Sequence, residues 1–142
     1  MQKIIVDTNV IVSSLISKGY PFKIINDLIL KNVVEVQLSD ELFKEYMEVL
    51  SRPKFSKYPE FVVNAEIVLF RIYELSNKIT PKKNLKIIHD DNDNRLLELA
   101  IESRAQYLIT GNSSDFTFDR IEETIILSPT EYWQNYRPNH DD

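Results

Sequence analysis

Short runs of β-branched residues alternate with longer amphipathic stretches along the whole chain, and this alternation narrows the possible folds more than any other feature. The runs are "KIIV" (3–6), "VVEVQL" (33–38), "LKII" (85–88), "QYLIT" (106–110) and "TIIL" (124–127), and each reads as a strand. Between them, "PFKIINDLILKN" (21–32) and "SDELFKEYMEVL" (39–50) read as helices. From Pro59 to Lys78 the spacing places Phe61, Ala65, Val68, Leu69, Ile72 and Leu75 on one helical face. "DNRLLELAIESRA" (93–105) predicts another amphipathic helix. The last helix opens with Ser128 as N-cap, Pro129 at its first position and Glu131 closing a capping box. Apolar strands separated by helices predict a parallel sheet covered on both faces. Neither an internal repeat nor a linker interrupts the pattern. The expectation is one domain over residues 1–137, with a frayed tail at 138–142.

Composition excludes several kinds of chemistry. Cysteine is absent, so there is no disulfide framework, thiol nucleophile or zinc–thiolate site. The only glycines are Gly19 and Gly111, too few for a P-loop or a dinucleotide fingerprint. The two histidines, His89 and His140, leave little room for a histidine-pair mechanism. No apolar run is long enough to span a bilayer, and no basic-then-apolar leader opens the chain. A cytoplasmic protein without a membrane partner is the expectation.

A net charge of −5 argues, by itself, against a polyanionic partner. The distribution qualifies this, because "RPKFSK" (52–57) and "KITPKKNLK" (78–86) carry basic residues and no acid. Either stretch reads as a solvated loop around Pro53 or Pro81, or as a phosphate contact. Arg52, Lys54, Lys57, Lys82 and Lys83 are the candidates for the second role.

The acids are more telling. In an open parallel sheet, ligands bind beyond the carboxyl ends of the strands. Asp7 follows "KIIV", the cluster "HDDNDN" follows "LKII", and Asp115 follows "QYLIT", so all are expected at one edge. The helix carrying Glu45 leaves the same edge. Converging carboxylates without cysteine or clustered histidine suit Mg²⁺ or Mn²⁺. Each acid also has a structural alternative. Asp7 can cap the helix "NVIVSSL", and Asp90, Asp91, Asn92 and Asp93 can cap the next one. Asp91 can pair with Arg95. Glu41, Glu45 and Glu48 can form a solvated face, and Asp119 competes with Asp115.

Four segments in order resemble PIN-domain nucleases, in particular the small bacterial branch that serves as the toxin of toxin–antitoxin pairs. They are "VDTNVIVSSL", "LSDELFKEYMEVLSRPKF", "HDDNDNRLLELAIESRAQYLITGNSSDF" and "ILSPTEY", covering Lys3 to about Trp133. The resemblance implies a three-layer α/β/α sandwich around a mostly parallel sheet of about five strands. It chooses Asp7, Glu45, Asp93 and Asp115 as the catalytic and metal-binding acids, with Asn9, Thr110 and Asn112 at supporting polar positions. It implies Mg²⁺- or Mn²⁺-dependent hydrolysis of RNA to a 5′-phosphate and a 3′-hydroxyl, a small antitoxin partner and a homodimer. Two positions depart from the pattern: Asn112 stands where the family usually has an aspartate, and Asp91 replaces a proline. The first departure motivates an alternative, a weakly cleaving RNA- or protein-binding module on the same fold. An aspartyl-phosphate enzyme of the haloacid-dehalogenase type would need D-x-D-x-T, and this chain has Asn9 and Ile11 there.

Overall fold

The first apolar run forms β1 (Lys3–Val6), and its composition explains its place at the middle of a sheet. Ile4 and Ile5 are fully buried and Val6 nearly so, as a strand covered on both faces requires. The structure, a computed structural model, describes residues 1–139 apart from His89 and Thr117, and of Asp115 it describes the backbone only. After β1 come α1 (Thr8–Ile16), α2 (Tyr20–Lys23) with a π-helical continuation (Ile24–Ile29), β2 (Glu35–Leu38) and α3 (Asp40–Leu50). They are followed by α4 (Phe61–Leu75), β3 (Asn77–Lys78), α5 (Asp91–Ser103), β4 (Tyr107–Ile109), β5 (Arg120–Ile121), β6 (Thr124–Leu127) and α6 (Pro129–Asn135).

The six-stranded sheet has the order β3-β2-β1-β4-β6-β5. Neighbours pair in parallel except β5, which runs antiparallel to β6. Helices cover both faces, giving the three-layer sandwich that the sequence led one to expect, with one more strand. The chain leaves β1 towards β2 on one side and later returns to place β4 on the other. The carboxyl ends of β1 and β4 therefore flank a topological switch point, where open α/β sheets form their ligand crevice. No helix among the described residues is long and apolar enough to cross a membrane.

Three local expectations need correction. The run "LKII" (85–88) is not a strand. Its backbone is satisfied by α5 side chains instead of a ladder: Ile87 and Ile88 N–H donate to Asn94 Oδ1 at 3.1 and 2.9 Å, and Leu85 N–H donates to Glu98 Oε2 at 2.7 Å. Those three donors are thus spent on side chains and are not offered to a ladder. The stretch 21–32 is not one uniform helix, because Leu30 N–H reaches back to Ile25 O at 2.9 Å, a π-type bond. The helix expected to reach Lys78 stops at Leu75, and Asn77–Lys78 becomes an edge strand. There Asn77 Nδ2 donates to Oε1 of the fully buried Gln37 at 2.9 Å. Of the tail expected to fray, residues 140–142 lie outside the described residues.

Candidate active site

Asp7 leaves β1 at the switch point and begins α1 as its N-cap. Its Oδ1 accepts from Thr8 N–H at 2.7 Å, and its Oδ2 accepts from the Thr110 hydroxyl at 2.8 Å and from Asn9 Nδ2 at 3.4 Å. The residue is only 9 % exposed, so these donors replace water that burial has removed. Thr110 continues β4 and is fully buried; its hydroxyl also accepts from Asn112 N–H at 3.1 Å. Asn9 ties the two strand ends together, because its Oδ1 accepts from Gly111 N–H at 2.9 Å. A Cβ on residue 111 would sit 3.2 Å from that same oxygen, so the close approach calls for glycine.

Glu45 projects from α3, whose first residue follows β2 by two positions. The Thr8 hydroxyl donates to Glu45 Oε2, which holds the carboxylate beside Asp7. Burial pushes the Glu45 carboxyl up from its usual range, and the negative charges of Asp7, Asp90 and Glu48 add to this against the opposing Thr8 bond. The next residue, Tyr46, is fully buried and donates its hydroxyl to Val6 O, which pins α3 to the end of β1. Burial, with Asp7 and Glu45 nearby, pushes that phenol well above its usual value and keeps it a neutral donor.

The third element is the N-terminus of α5. Asp90 caps it, with Oδ1 accepting from Asn92 N–H at 2.8 Å and Asp93 N–H at 3.4 Å. The helix dipole favours negative charge here, which lets two acids occupy one turn. Asp91 is exposed and is not among the residues lining the cleft, and the pairing with Arg95 open to it does not form. Arg95 instead binds Glu98 at 2.7 Å, together with Asn84 Oδ1 and Leu85 O.

Asp7, Glu45, Asp90 and Asp93 line one cleft of about 380 Å³, with Asn9, Asn92, Asn112 and Lys54 also in its wall. Sequence reasoning weighed Asp90 as a cap and as one of the "HDDNDN" acids at the sheet edge without choosing it as a metal ligand; the fold gives it both the cap's bonds and a place in the wall. It also missed Thr8 and Tyr46, whose roles depend on contacts with residues about 40 positions away. Glu41 and Glu48 are exposed, and Glu48 pairs with Arg52. Asp119 is likewise exposed. The side chain of Asp115 lies outside the described residues.

Among the basic candidates, Lys54 alone lines the cleft. Arg52 is held by Glu48, and the Lys57 ammonium lies over the Tyr58 ring. The backbone of Lys82 sits at Glu102 near the far end of α5, and Lys83 approaches Glu122 at 3.8 Å. Lys82 and Lys83 therefore lie away from the acids.

Among the described residues no three acids stand close enough together to hold a metal ion. The donor chemistry of the cleft nevertheless suits a hard divalent cation: several carboxylate oxygens, amide and hydroxyl groups, and no soft ligand. Burial first, and then the like charges of Asp7, Asp90 and Glu48, raise the Glu45 carboxyl, and a cation would relieve the repulsive part of that cost.

Comparison with known proteins adds two findings. The family profile described as PIN domain matches residues 3–114. A protein of Methanocaldococcus jannaschii named "Uncharacterized protein MJ1680" is 33 % identical over 111 residues, spanning 78 % of this chain and 70 % of that protein.

Proposed function

This chain belongs to the PIN-domain family, whose fold is of nuclease type and whose members are generally nucleases, and from that premise we propose that it is a divalent-metal-dependent endoribonuclease. The observation that carries the proposal is the gathering of Asp7, Glu45, Asp90 and Asp93 in one cleft at the sheet's switch point. Asp7, Glu45 and Asp93, with Asp115, would hold Mg²⁺ or Mn²⁺ once the cation draws the first three closer than they stand here. Bound there, the cation supplies an activated water and neutralises charge on the phosphodiester. Asp7 is oriented for this by Thr110 and by the Thr8 amide, so its carboxylate needs no reorganisation when substrate arrives. Glu45 is held through Oε2, leaving Oε1 to meet the cation or to orient the attacking water. Attack at phosphorus breaks the bond to the 3′ oxygen and leaves a 5′-phosphate on the other fragment.

The proposal extends to the toxin role of the small bacterial branch. A small antitoxin partner would act by occluding this cleft. A second copy of the chain is the further partner, through the apolar surface of α4.

Cleavage of structured and unstructured RNA with Mg²⁺ or Mn²⁺ tests the central claim. Asp7→Asn is expected to lower the rate at least about a hundredfold while unfolding as the wild type does, and excess EDTA should abolish cleavage. Full activity in either condition would sink the proposal. Asn112 favours a second reading, because an uncharged amide lines the cleft where the family usually has an acid. RNA binding by the wild type without detectable cleavage of a broad RNA pool in Mn²⁺ would select that reading, a binding module.

A further inference from the structure

We propose that Lys54 forms a phosphate subsite inside the acidic cleft, gripping a non-bridging oxygen of the RNA backbone beside the scissile bond. This rests on the ribonuclease reading above and adds to it a residue that touches substrate. A phosphodiester approaching four carboxylates meets a repulsive field, and cation binding at the acids relieves it only at the reacting phosphate. A fixed positive charge in the same wall would guide the neighbouring backbone, and Lys54 is the one basic side chain among the lining residues.

Its setting argues for a ligand outside the protein. Among the described residues the Lys54 ammonium joins no ion pair, although it shares a cleft with Asp7, Glu45, Asp90 and Asp93. A lysine that served only to neutralise those acids would sit against one of them. Instead the ammonium lies 5.2 Å from the centre of the Phe55 ring, which supports the side chain without taking up its donors.

The backbone beneath is rigid. Pro53–Phe55 is a single 3₁₀ turn with Pro53 at its start, closed by Phe55 N–H to Arg52 O at 3.1 Å and Ser56 N–H to Pro53 O at 3.0 Å. Phe55 is buried and stacked on Phe61 with centroids 4.4 Å apart and planes 12° apart. Arg52 is clamped by both Glu48 oxygens, at 3.2 and 2.8 Å. Phe55 thus ties the segment to the core and Arg52 pairs with α3, and Lys54 is the basic side chain that the segment brings to the cleft wall, next to Phe55. The segment "RPKF" accordingly divides its labour: the arginine, proline and phenylalanine build the turn, and the lysine is presented by it.

The test is equilibrium binding of a short single-stranded RNA to wild type, Lys54→Met and Lys54→Arg, read by fluorescence anisotropy in EDTA across a salt series. Because cleavage does not occur without metal, the readout is independent of turnover. Lys54→Met should weaken binding about five- to tenfold and reduce the slope of log K against log salt by about 0.7, the value of one phosphate contact on a single strand. Lys54→Arg should retain the wild-type slope. A parallel Mn²⁺ titration should show tighter metal binding by Lys54→Met, because a cation has left the acidic wall. An unchanged slope in Lys54→Met, or no RNA binding by the wild type, overturns the subsite. The two proposals fail separately. Loss of slope in Lys54→Met with no cleavage by the wild type in Mn²⁺ would remove the nuclease reading and keep the subsite. Cleavage with an unchanged slope would do the reverse.

Discussion

Asp7 carries two roles on one side chain. Its Oδ1 closes the start of α1 through the Thr8 amide, while Oδ2 is held by Thr110 and Asn9 at the end of the neighbouring strand. Cap and candidate ligand are therefore compatible, because the donors that stabilise the cap also fix the orientation of the carboxylate. Glu45 is the second acid that Thr8 links. Burial first, then Asp7 and Asp90, hold its proton more tightly in the folded protein than in the unfolded chain. A carboxyl raised on folding contributes stability that is full below its unfolded value, near 4.5, and is lost as pH rises through the raised folded value. In EDTA, Glu45→Gln should therefore gain on wild type as pH climbs from 4.5 towards neutrality. Urea unfolding at a series of pH values measures the difference, and a gap that stays constant with pH would contradict this account.

At the scale of elements, α5 substitutes for a missing strand. Asn94 is almost fully buried and makes three bonds to the segment before its helix: Oδ1 from Ile87 and Ile88 N–H, and Nδ2 to Ile88 O at 2.7 Å. Glu98 takes Leu85 N–H and the Arg95 guanidinium. The loop that delivers Asp90 and Asp93 to the cleft is held in this way by the helix that follows it. Asn94→Ala strands those backbone groups and should cost about 2–4 kcal/mol in chemical unfolding. Asn94→Asp should cost at least as much, since it keeps the acceptor but sets a carboxylate oxygen against Ile88 O and buries a charge. A loss below about 1 kcal/mol for the alanine variant would mean that water replaces the side chain there.

At the scale of the whole molecule, the notable surface is α4. Phe61, Ala65, Val68 and Ile72 bury one side of it, while Val63, Ile67, Phe70 and Tyr73 stand exposed on the other, Phe70 at 66 %. A helix apolar around most of its circumference is usually covered on both sides. With Met47 of α3, also exposed and lining the same groove as Phe70 and Tyr73, these side chains form an apolar patch of the kind that marks an interaction surface. It would form the apolar core of a standard interface of about 800 Å² per partner, which a second copy related by a two-fold axis would complete. Light scattering should give a dimer at micromolar concentration, and Phe70→Glu should yield a folded monomer. A monomeric wild type would remove the proposed dimer without touching the cleft.

How much of this was legible in the sequence follows from the range of the forces involved. The alternation of strand and helix, the capping box at Ser128, and the placement of Asp7 after β1 and of Glu45 on the helix after β2 rest on neighbours along the chain, so the residues themselves determined them. Short pairings without a periodic signal, Asn77–Lys78 and Arg120–Ile121, were not readable, because two residues cannot display a period. The run 85–88 looked like a strand because β-branched composition says nothing about which groups satisfy the backbone, and α5 side chains satisfy it here. Tertiary structure alone decided that Asp90 and not Asp91 faces the cleft, and that Lys54 alone of five basic candidates does so. It also brought Thr110 to Asp7 across 103 positions. Sequence determined which groups are available and what local backbone each prefers. The packing of distant segments decided which of those groups share a cleft, since hydrogen bonding and charge act over a few ångströms of space whatever the separation along the chain.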